Sequence, residues 1–146
     1  MKDELFDEKN EVKIEYNTIK FGKVGDWFKG TLVGNTRQMA NVLSATKEMQ
    51  TVFEFKTISG SFHNIVDRVP VAEVTEPIVG DVYSYISGKQ AILNQMKDAK
   101  IGQIVGLKYT ETKPASQPGY AATKIIKVYL GEMDAEYKAE REGNDF

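Results

Sequence analysis

Several residue types and motifs are missing or scarce in this chain of 146 residues, and each absence narrows its chemistry. It has no cysteine, which excludes a disulfide framework and any metal site built on thiolates. No apolar run approaches the roughly 20 residues that a membrane-spanning helix needs. The acidic segment MKDELFDEKNE lacks the apolar core of a secretory signal. We therefore expect a cytoplasmic protein that does not contact a membrane.

Motifs of catalysis are also missing, since the sequence contains no HExxH, no Walker loop and no GxGxxG. The one histidine, His63, stands near Ser61 and Asp67, but triads are assembled in space and closeness in sequence does not support one. Most carboxylates lie in the two terminal segments, where a buried acid–base pair is not expected. We predict a protein that is not an enzyme, with no catalytic residue, metal or cofactor. A hydrolase that uses His63 is a distant alternative.

The composition that is present suits one globular domain, with 41% hydrophobic and 27% charged residues. The net charge of −2 is unevenly distributed along the chain. Residues 1–15 carry a net charge of −3 and residues 131–146 carry −4, which leaves +5 for residues 16–130. A basic middle between acidic ends indicates an anionic partner for the middle. Uneven scattering of surface charge is the alternative interpretation.

Hydrophobic periodicity predicts a chain made mainly of strands. The predicted elements are strands at 17–33, 51–58 and 80–88, a helix at 89–100, and strands at 101–112 and 122–131, with a long connection at 35–50. Five strands with one helix between the third and fourth is the order of an OB-fold barrel, whose strand faces and loops bind oligonucleotides. We predict a mainly β class with this barrel at 16–130. An acidic N-terminal arm at 1–15 and a disordered acidic C-terminal tail at 131–146 flank it.

Cationic and aromatic residues alternate within the predicted strands, as a site for single-stranded nucleic acid requires. The aromatic candidates for base stacking are Trp27, Tyr109, Tyr120 and Tyr129. The cationic candidates for phosphate contact are Lys20, Lys23, Lys29, Arg37, Lys108, Lys113, Lys124 and Lys127. An aromatic residue in a strand is more often part of the core, and we assign Phe28, Phe53 and Phe55 to it. Parity also puts Lys108 on the face opposite Val105, Leu107 and Tyr109, whereas Lys127 and Tyr129 share a face.

A basic β-rich core followed by an acidic segment that ends in phenylalanine resembles the single-stranded DNA-binding proteins of bacteria and phages. The segments DWFKGTLVGNTRQ, GKQAILNQMKDAKIGQIVGLKYTE and KIIKVYLG are similar to small phage-type proteins of this kind. The resemblance covers residues 17–130 for the fold and 132–146 for the tail. It implies an OB-fold that coats single-stranded DNA during replication, recombination or repair, encoded by a phage.

The same resemblance implies a role for the tail. Its residues Glu140, Glu142, Asp145 and Phe146 would dock onto replication or recombination proteins. The tail departs from the bacterial pattern because it includes Lys138 and Arg141. It would also fold back onto the basic core until DNA displaces it, and a frayed solubilising tail is the alternative.

Two other functions stay open at the level of sequence. An RNA-binding module would use the same stacking and the same cations, and a barrel that binds only proteins has the same strand order. A homodimer through the barrel edges or the N-terminal arm is compatible with the sequence. The sequence does not distinguish DNA from RNA, and it does not give the site size.

Overall fold

An antiparallel sheet of five strands organises the part of the chain that the computed structural model describes, which is residues 17–39, 49–87, 89–114, 119 and 122–137, without the side chains of 36–39 and 49. Its strands are β1 (Trp27–Met39), β2 (Met49–Ser61), β5 (Val82–Ser87), β6 (Gln103–Lys113) and β7 (Thr123–Met133). A small hairpin of β3 (Ile65–Val66) and β4 (Val69–Pro70) follows β2, and helix α1 (Gln90–Met96) follows β5. The prediction of a mainly β fold is confirmed.

The strand order across the sheet is β5-β2-β1-β6-β7. Strands β1, β2 and β5 pair in sequence as neighbours, and β6 returns to the free side of β1. A fourth strand that comes back to lie beside the first is the Greek-key arrangement. The connection from β5 to β6 that contains α1 makes this return.

Two details of the predicted fold need correction. Among the described strands, β5 pairs only with β2 and β7 pairs only with β6, so hydrogen bonds between strands do not close the sheet into a barrel. The helix is shorter than predicted and follows the fifth strand in chain order rather than the third, because the hairpin of β3 and β4 forms between the predicted strands at 51–58 and 80–88. The turn of that hairpin contains Asp67 and Arg68, both with positive φ.

The first strand begins later than predicted, at Trp27 rather than near residue 17. Gly25 has φ of 100°, and the amide of Asp26 donates to the carbonyl of Lys23. These two features make a turn, which separates residues 17–22 from β1. In contrast, residues 35–39 and 49–50 of the predicted connection belong to the ladder between β1 and β2, which extends to the pair Met39 and Met49.

The core lies on one face of the sheet because side chains alternate along each strand. Phe28 of β1 and Phe53 and Phe55 of β2 are buried as predicted. Each of these side chains contributes about 1.5–3 kcal/mol by burial. Val105, Leu107 and Ile126 extend the core across β6 and β7, while Ile92 and Met96 add the buried side of α1.

The segment before β1 covers the outer edge of β5. The backbone of Ser84 exchanges hydrogen bonds with Asn17 and Ile19 at 2.8 Å each. A few residues further on, Phe21 packs against Tyr85 of β5, and its carbonyl accepts a hydrogen bond from Lys124 of β7. Residues 17–21 therefore contact both edge strands of the sheet.

The other edge is covered by one side chain of α1. The amide group of Gln95 donates to the carbonyl of Ile126 at 3.0 Å and accepts from the amide of Val128 at 2.9 Å. A backbone residue of a neighbouring strand would form the same two bonds. The carboxamide thus occupies the middle of the β7 edge.

The chain beyond β7 is fixed to the sheet by Asp134. Its carboxylate accepts hydrogen bonds from the buried hydroxyl of Thr31 and from the amides of Glu136 and Tyr137. Among these the bond from Thr31 has the largest effect, and together they lower the pKa of Asp134. Strand β7 ends just before this residue, at Met133, whereas the predicted last strand ended at residue 131.

In the described ranges, no helix is long and apolar enough to cross a bilayer.

Candidate nucleic-acid interface

An open groove crosses the outer face of β1, β6 and β7, on the side of the sheet away from the core. Its volume is about 410 Å³. All three strands contribute to its lining, which consists of Trp27, Phe28, Lys29, Ile104, Gly106, Leu107, Lys108, Tyr129, Leu130 and Gly131. Four of these residues are among the predicted binding residues, namely Trp27, Lys29, Lys108 and Tyr129.

The alternation of strand side chains explains which residues reach the groove. In β1 the ring of Phe28 is 1% exposed, whereas its neighbour Trp27 is 37% exposed. In β6 the side chains of Val105 and Leu107 are buried, and Lys108 is exposed. The groove is thus lined mainly by outward residues of the strands whose inward residues build the core, while Phe28 and Leu107 belong to both.

The register of the strands sets these side chains in two rows across the sheet. In the first row, Lys108 lies between Trp27 and Lys127. In the second row, Gly106 lies between Lys29 and Tyr129. Neighbouring strands are about 4.8 Å apart, so each row is about 10 Å wide. The first row therefore contains one indole ring and two lysines. The second row contains a lysine, a glycine and a phenol ring.

The charged residues in the described lining of the groove, Lys29 and Lys108, are of one sign. Lys127 does not line the groove but lies beside Lys108 in the first row. All three lysines are exposed, and none of them forms an ion pair with a described residue. Among the residues that the structure describes, no carboxylate lines the groove. Tyr129 is 53% exposed and, with Trp27, presents apolar ring surface between the ammonium groups. Ring faces next to unpaired cations are the two features with which proteins hold a single strand of nucleic acid.

Tyr109 is a correction to the predicted stacking residues. Its side chain is only 4% exposed and belongs to the core cluster. It lies on the inward side of β6 with Val105 and Leu107, as the parity of that strand predicts, and its hydroxyl bonds to that of Thr112. A base cannot stack on a ring whose faces are already covered.

Lys124 is also used within the protein. Its ammonium group donates to the carbonyl of Phe21 at 2.8 Å and lies 5.5 Å from the centre of the Tyr109 ring. Burial, followed by the repulsion of Lys89, lowers the pKa of Lys124. Its position supports the link between β7 and the segment before β1, so it does not contribute to the groove.

The remaining predicted residues lie elsewhere. Lys20, Lys23 and Lys113 are exposed but do not line the groove. Lys20 instead borders a polar cavity of about 310 Å³ with residues that include Asn17 and Tyr83. The following predicted residues lie outside the described part of the chain: Tyr120, Glu140, Glu142, Asp145, Phe146 and the side chain of Arg37.

Sequence reasoning missed the small and apolar residues of the groove, Ile104, Gly106, Leu130 and Gly131. The search was for charged and aromatic side chains, which these are not. The signal that could have found them is parity, because Ile104 and Gly106 alternate with Val105 and Leu107 on the face of Lys108. A glycine inside a strand is a second signal, since it often marks a close approach of a ligand or another backbone.

His63 has a different partner from the one considered at the level of sequence. Its ring nitrogen Nδ1 lies 2.8 Å from the carboxylate of Asp26. The same carboxylate accepts hydrogen bonds from the backbone amides of His63 and Lys23. Burial opposes the ionisation of Asp26, but these hydrogen bonds outweigh it and lower its pKa. The contacts join the turn before β1 to the end of β2. The described residues contain no group of three or more potential metal ligands.

Comparisons of this chain with protein-family models, with curated proteins and with solved structures gave no match. The case for its function therefore depends on the groove itself.

Proposed function

We propose that the protein binds single-stranded DNA without strong sequence preference, through the groove on β1, β6 and β7. The observation that carries the proposal is the combination on one face of two exposed aromatic rings, Trp27 and Tyr129, with three exposed lysines. These are Lys29, Lys108 and Lys127, which form no ion pair with a described residue. The rings would stack on bases, and the ammonium groups would neutralise phosphates. Neither contact reads the edge of a base, so the binding would tolerate any sequence.

The fold proposed for this function is the OB-fold in its partly open form. An OB-fold is a five-stranded Greek-key barrel that is partly open. The order β5-β2-β1-β6-β7 and the return of β6 to β1 support this assignment. Residues 17–21, which contact both edge strands, would fill the opening.

The proposed energetics follow from the two kinds of contact. Each stacked base contributes about 1–3 kcal/mol. Each lysine that neutralises a phosphate releases bound counterions, so the affinity falls as salt rises, with a slope of about −0.7 per contact on a single strand. The proposal therefore requires binding that is both sensitive to salt and dependent on rings.

A role in the replication or recombination of phage DNA, with the acidic tail as a docking peptide, remains part of the proposal. The segment that leads into the tail is fixed by Asp134 next to the sheet. The tail residues themselves lie outside the described part of the chain.

A second candidate function is docking of another protein. The hairpin of β3 and β4 and the loop after it expose the apolar side chains Val66, Val69, Ile78 and Val79. Apolar side chains of this kind on one region suit a protein contact. This candidate predicts no dependence of any binding on Trp27 or on the three groove lysines.

The experiment that tests the proposal is a titration of Trp27 fluorescence with an oligothymidylate at two salt concentrations. Trp27 is the single tryptophan of the chain, so the signal reports on the groove alone. Saturable quenching that weakens with salt supports the proposal. No binding at low salt would overturn it and favour protein docking. Competition by an RNA oligonucleotide of the same sequence would distinguish DNA from RNA preference.

A further inference from the structure

Gly106 has no conformational reason to be a glycine. It lies in the interior of β6, and its φ is outside the left-handed region that favours glycine. A Cβ built on it would meet nothing closer than the Cβ of Tyr129 at 3.6 Å, which is an ordinary contact. The position would therefore accept a Cβ without strain.

The other described glycines contrast with it. Four of them have positive φ, at Gly25, Gly80, Gly102 and Gly119. The remaining five would bring a Cβ within 3.2 Å of another atom, as at Gly30, where the carbonyl of Lys56 is 2.8 Å away. Among the ten glycines in the described ranges, Gly106 alone has neither reason. A glycine inside a strand weakens it, so Gly106 lowers the stability of the fold and adds no side-chain packing.

The missing side chain at Gly106 leaves open space in the groove. The glycine is at the centre of the groove, between Lys29 and Tyr129 in its row and next to Lys108 along β6. Trp27 stands diagonally across from Tyr129, in the neighbouring row. After the Cβ of Tyr129, the next atom near a Cβ at position 106 is the ring carbon Cδ2 of Tyr129 at 3.9 Å, so the Tyr129 ring borders the space above the glycine. The absence of a side chain at position 106 leaves the groove open beside that ring, and we call this opening the slot. Trp27 borders the same groove from the neighbouring row.

We propose that this slot holds one unpaired nucleobase over the backbone of Gly106, flanked by Trp27 and Tyr129. This inference rests on the proposed function and deepens it, because it names the chemical group that the groove selects. A base paired in a duplex is stacked within the helix and does not fit into the slot. The three lysines around the slot meet the phosphates on either side of the inserted base.

The test compares two probes and two variants. The probes are an oligothymidylate and an abasic oligomer of the same length, which carries the phosphates without the bases. The variants are Gly106→Val, which fills the slot with a residue that favours strands, and Ser59→Val as the control. Ser59 lies in the same row as Gly106 but on β2, beyond Lys29 and outside the groove.

We expect Gly106→Val to bind the oligothymidylate about tenfold more weakly than the natural chain, the effect of losing one stacked base. Its affinity for the abasic oligomer stays unchanged, and its melting temperature stays the same or rises. Ser59→Val binds both probes as the natural chain does. Gly106→Ala, with a smaller side chain, gives an intermediate loss.

Two outcomes would overturn the inference while leaving the proposed function intact. One is equal affinity of the natural chain for both probes, which means that phosphates alone are bound. The other is a Gly106→Val variant whose melting temperature changes while its preference for oligothymidylate over the abasic oligomer does not. In that case Tyr129 only covers the backbone of the glycine, and the pair has a structural role. Failure of the natural chain to bind either probe overturns the proposed function itself.

Discussion

The outer face of the sheet has two halves, and they differ in chemistry although the same alternation exposes both. The half on β1, β6 and β7 presents two aromatic rings and three lysines around a glycine, and these lysines form no ion pair with a described residue. The half on β2 and β5 presents the pairs Val52–Ile86, Glu54–Ser84 and Lys56–Val82, in which apolar, acidic and basic side chains are mixed. The positive net charge of residues 16–130 is therefore not spread evenly over the sheet, and it is the arrangement on one half that the proposed function uses.

The largest expected effect comes from removing the charge of the groove half. Replacement of Lys29, Lys108 and Lys127 together by alanine should reduce the slope of log affinity against log salt by about 2, because three phosphate contacts are lost. A salt series of titrations with oligothymidylate measures the slope. The matched control replaces the exposed residues Lys89, Lys97 and Lys100 and removes the same charge elsewhere. If both triple variants lose the same slope, the position of the lysines does not matter and the groove is not the site of phosphate contact.

The next effect comes from the rings. Trp27→Ala and Tyr129→Ala should each weaken binding by about 1–3 kcal/mol, which corresponds to the loss of one stacked base. Tyr129→Phe keeps the ring face and should bind as the natural chain does. Fluorescence anisotropy of a labelled oligonucleotide reports on all three variants, including the one without tryptophan. Full affinity in Tyr129→Ala would remove this residue from the site.

The next effect concerns the stability that the turn before β1 gives to the fold. Asp26→Ala should lower the free energy of unfolding by about 1–3 kcal/mol at neutral pH, since the amides of Lys23 and His63 lose their buried acceptor. Urea unfolding measures this difference. Asp98→Ala, an exposed site, is the control and should change little.

The pH dependence of that difference has a definite sign. The folded-state pKa of Asp26 is lowered, so its stabilisation is fully present above the ordinary carboxyl pKa and is lost as the pH falls through the lower folded value. The unfolding curves of Asp26→Ala and the natural chain should therefore converge in acid, below about pH 4. A constant difference down to acid would mean that the carboxylate charge is not the stabilising feature.

The smallest expected effect comes from adding charge to the other half. Val82→Lys and Ile86→Lys place two cations on the outer face of β5, where both side chains are exposed. Binding of oligothymidylate should change by less than about threefold, because exposed charges outside the contact are screened over roughly 10 Å. A gain as large as the loss in the groove triple variant would show that total charge, not position, determines affinity.

Much of the groove could be predicted from the sequence because strand parity is a local property. Outward residues alternate with apolar ones in each of the three strands: Trp27 and Lys29 in β1, Lys108 in β6, and Lys127 and Tyr129 in β7. The structure brings these three strands together. Parity also predicts that Tyr109 is buried, since it places that residue on the same face as Val105 and Leu107. What parity could not provide is the register between strands, on which the two rows depend.

Other features depend on contacts between distant parts of the chain. The pairing of His63 with Asp26 joins residues 37 positions apart, and the bond from Lys124 to Phe21 joins residues 103 positions apart. No local pattern distinguishes a lysine that reaches a buried carbonyl from one that faces solvent. The late start of β1 has a similar cause, because the turn at Gly25 only becomes decisive once Asp26 is held by the end of β2.

The side chain of Gln95 gives the sheet a safeguard against self-association. An exposed edge strand offers its free backbone groups to any other strand, and this is how folded proteins add to one another and aggregate. At Ile126 and Val128 those groups are already bonded to the carboxamide of Gln95. These two backbone groups become available only if Gln95 moves away from β7. One side chain of a short helix thus takes at this edge the place that a further strand takes inside a sheet.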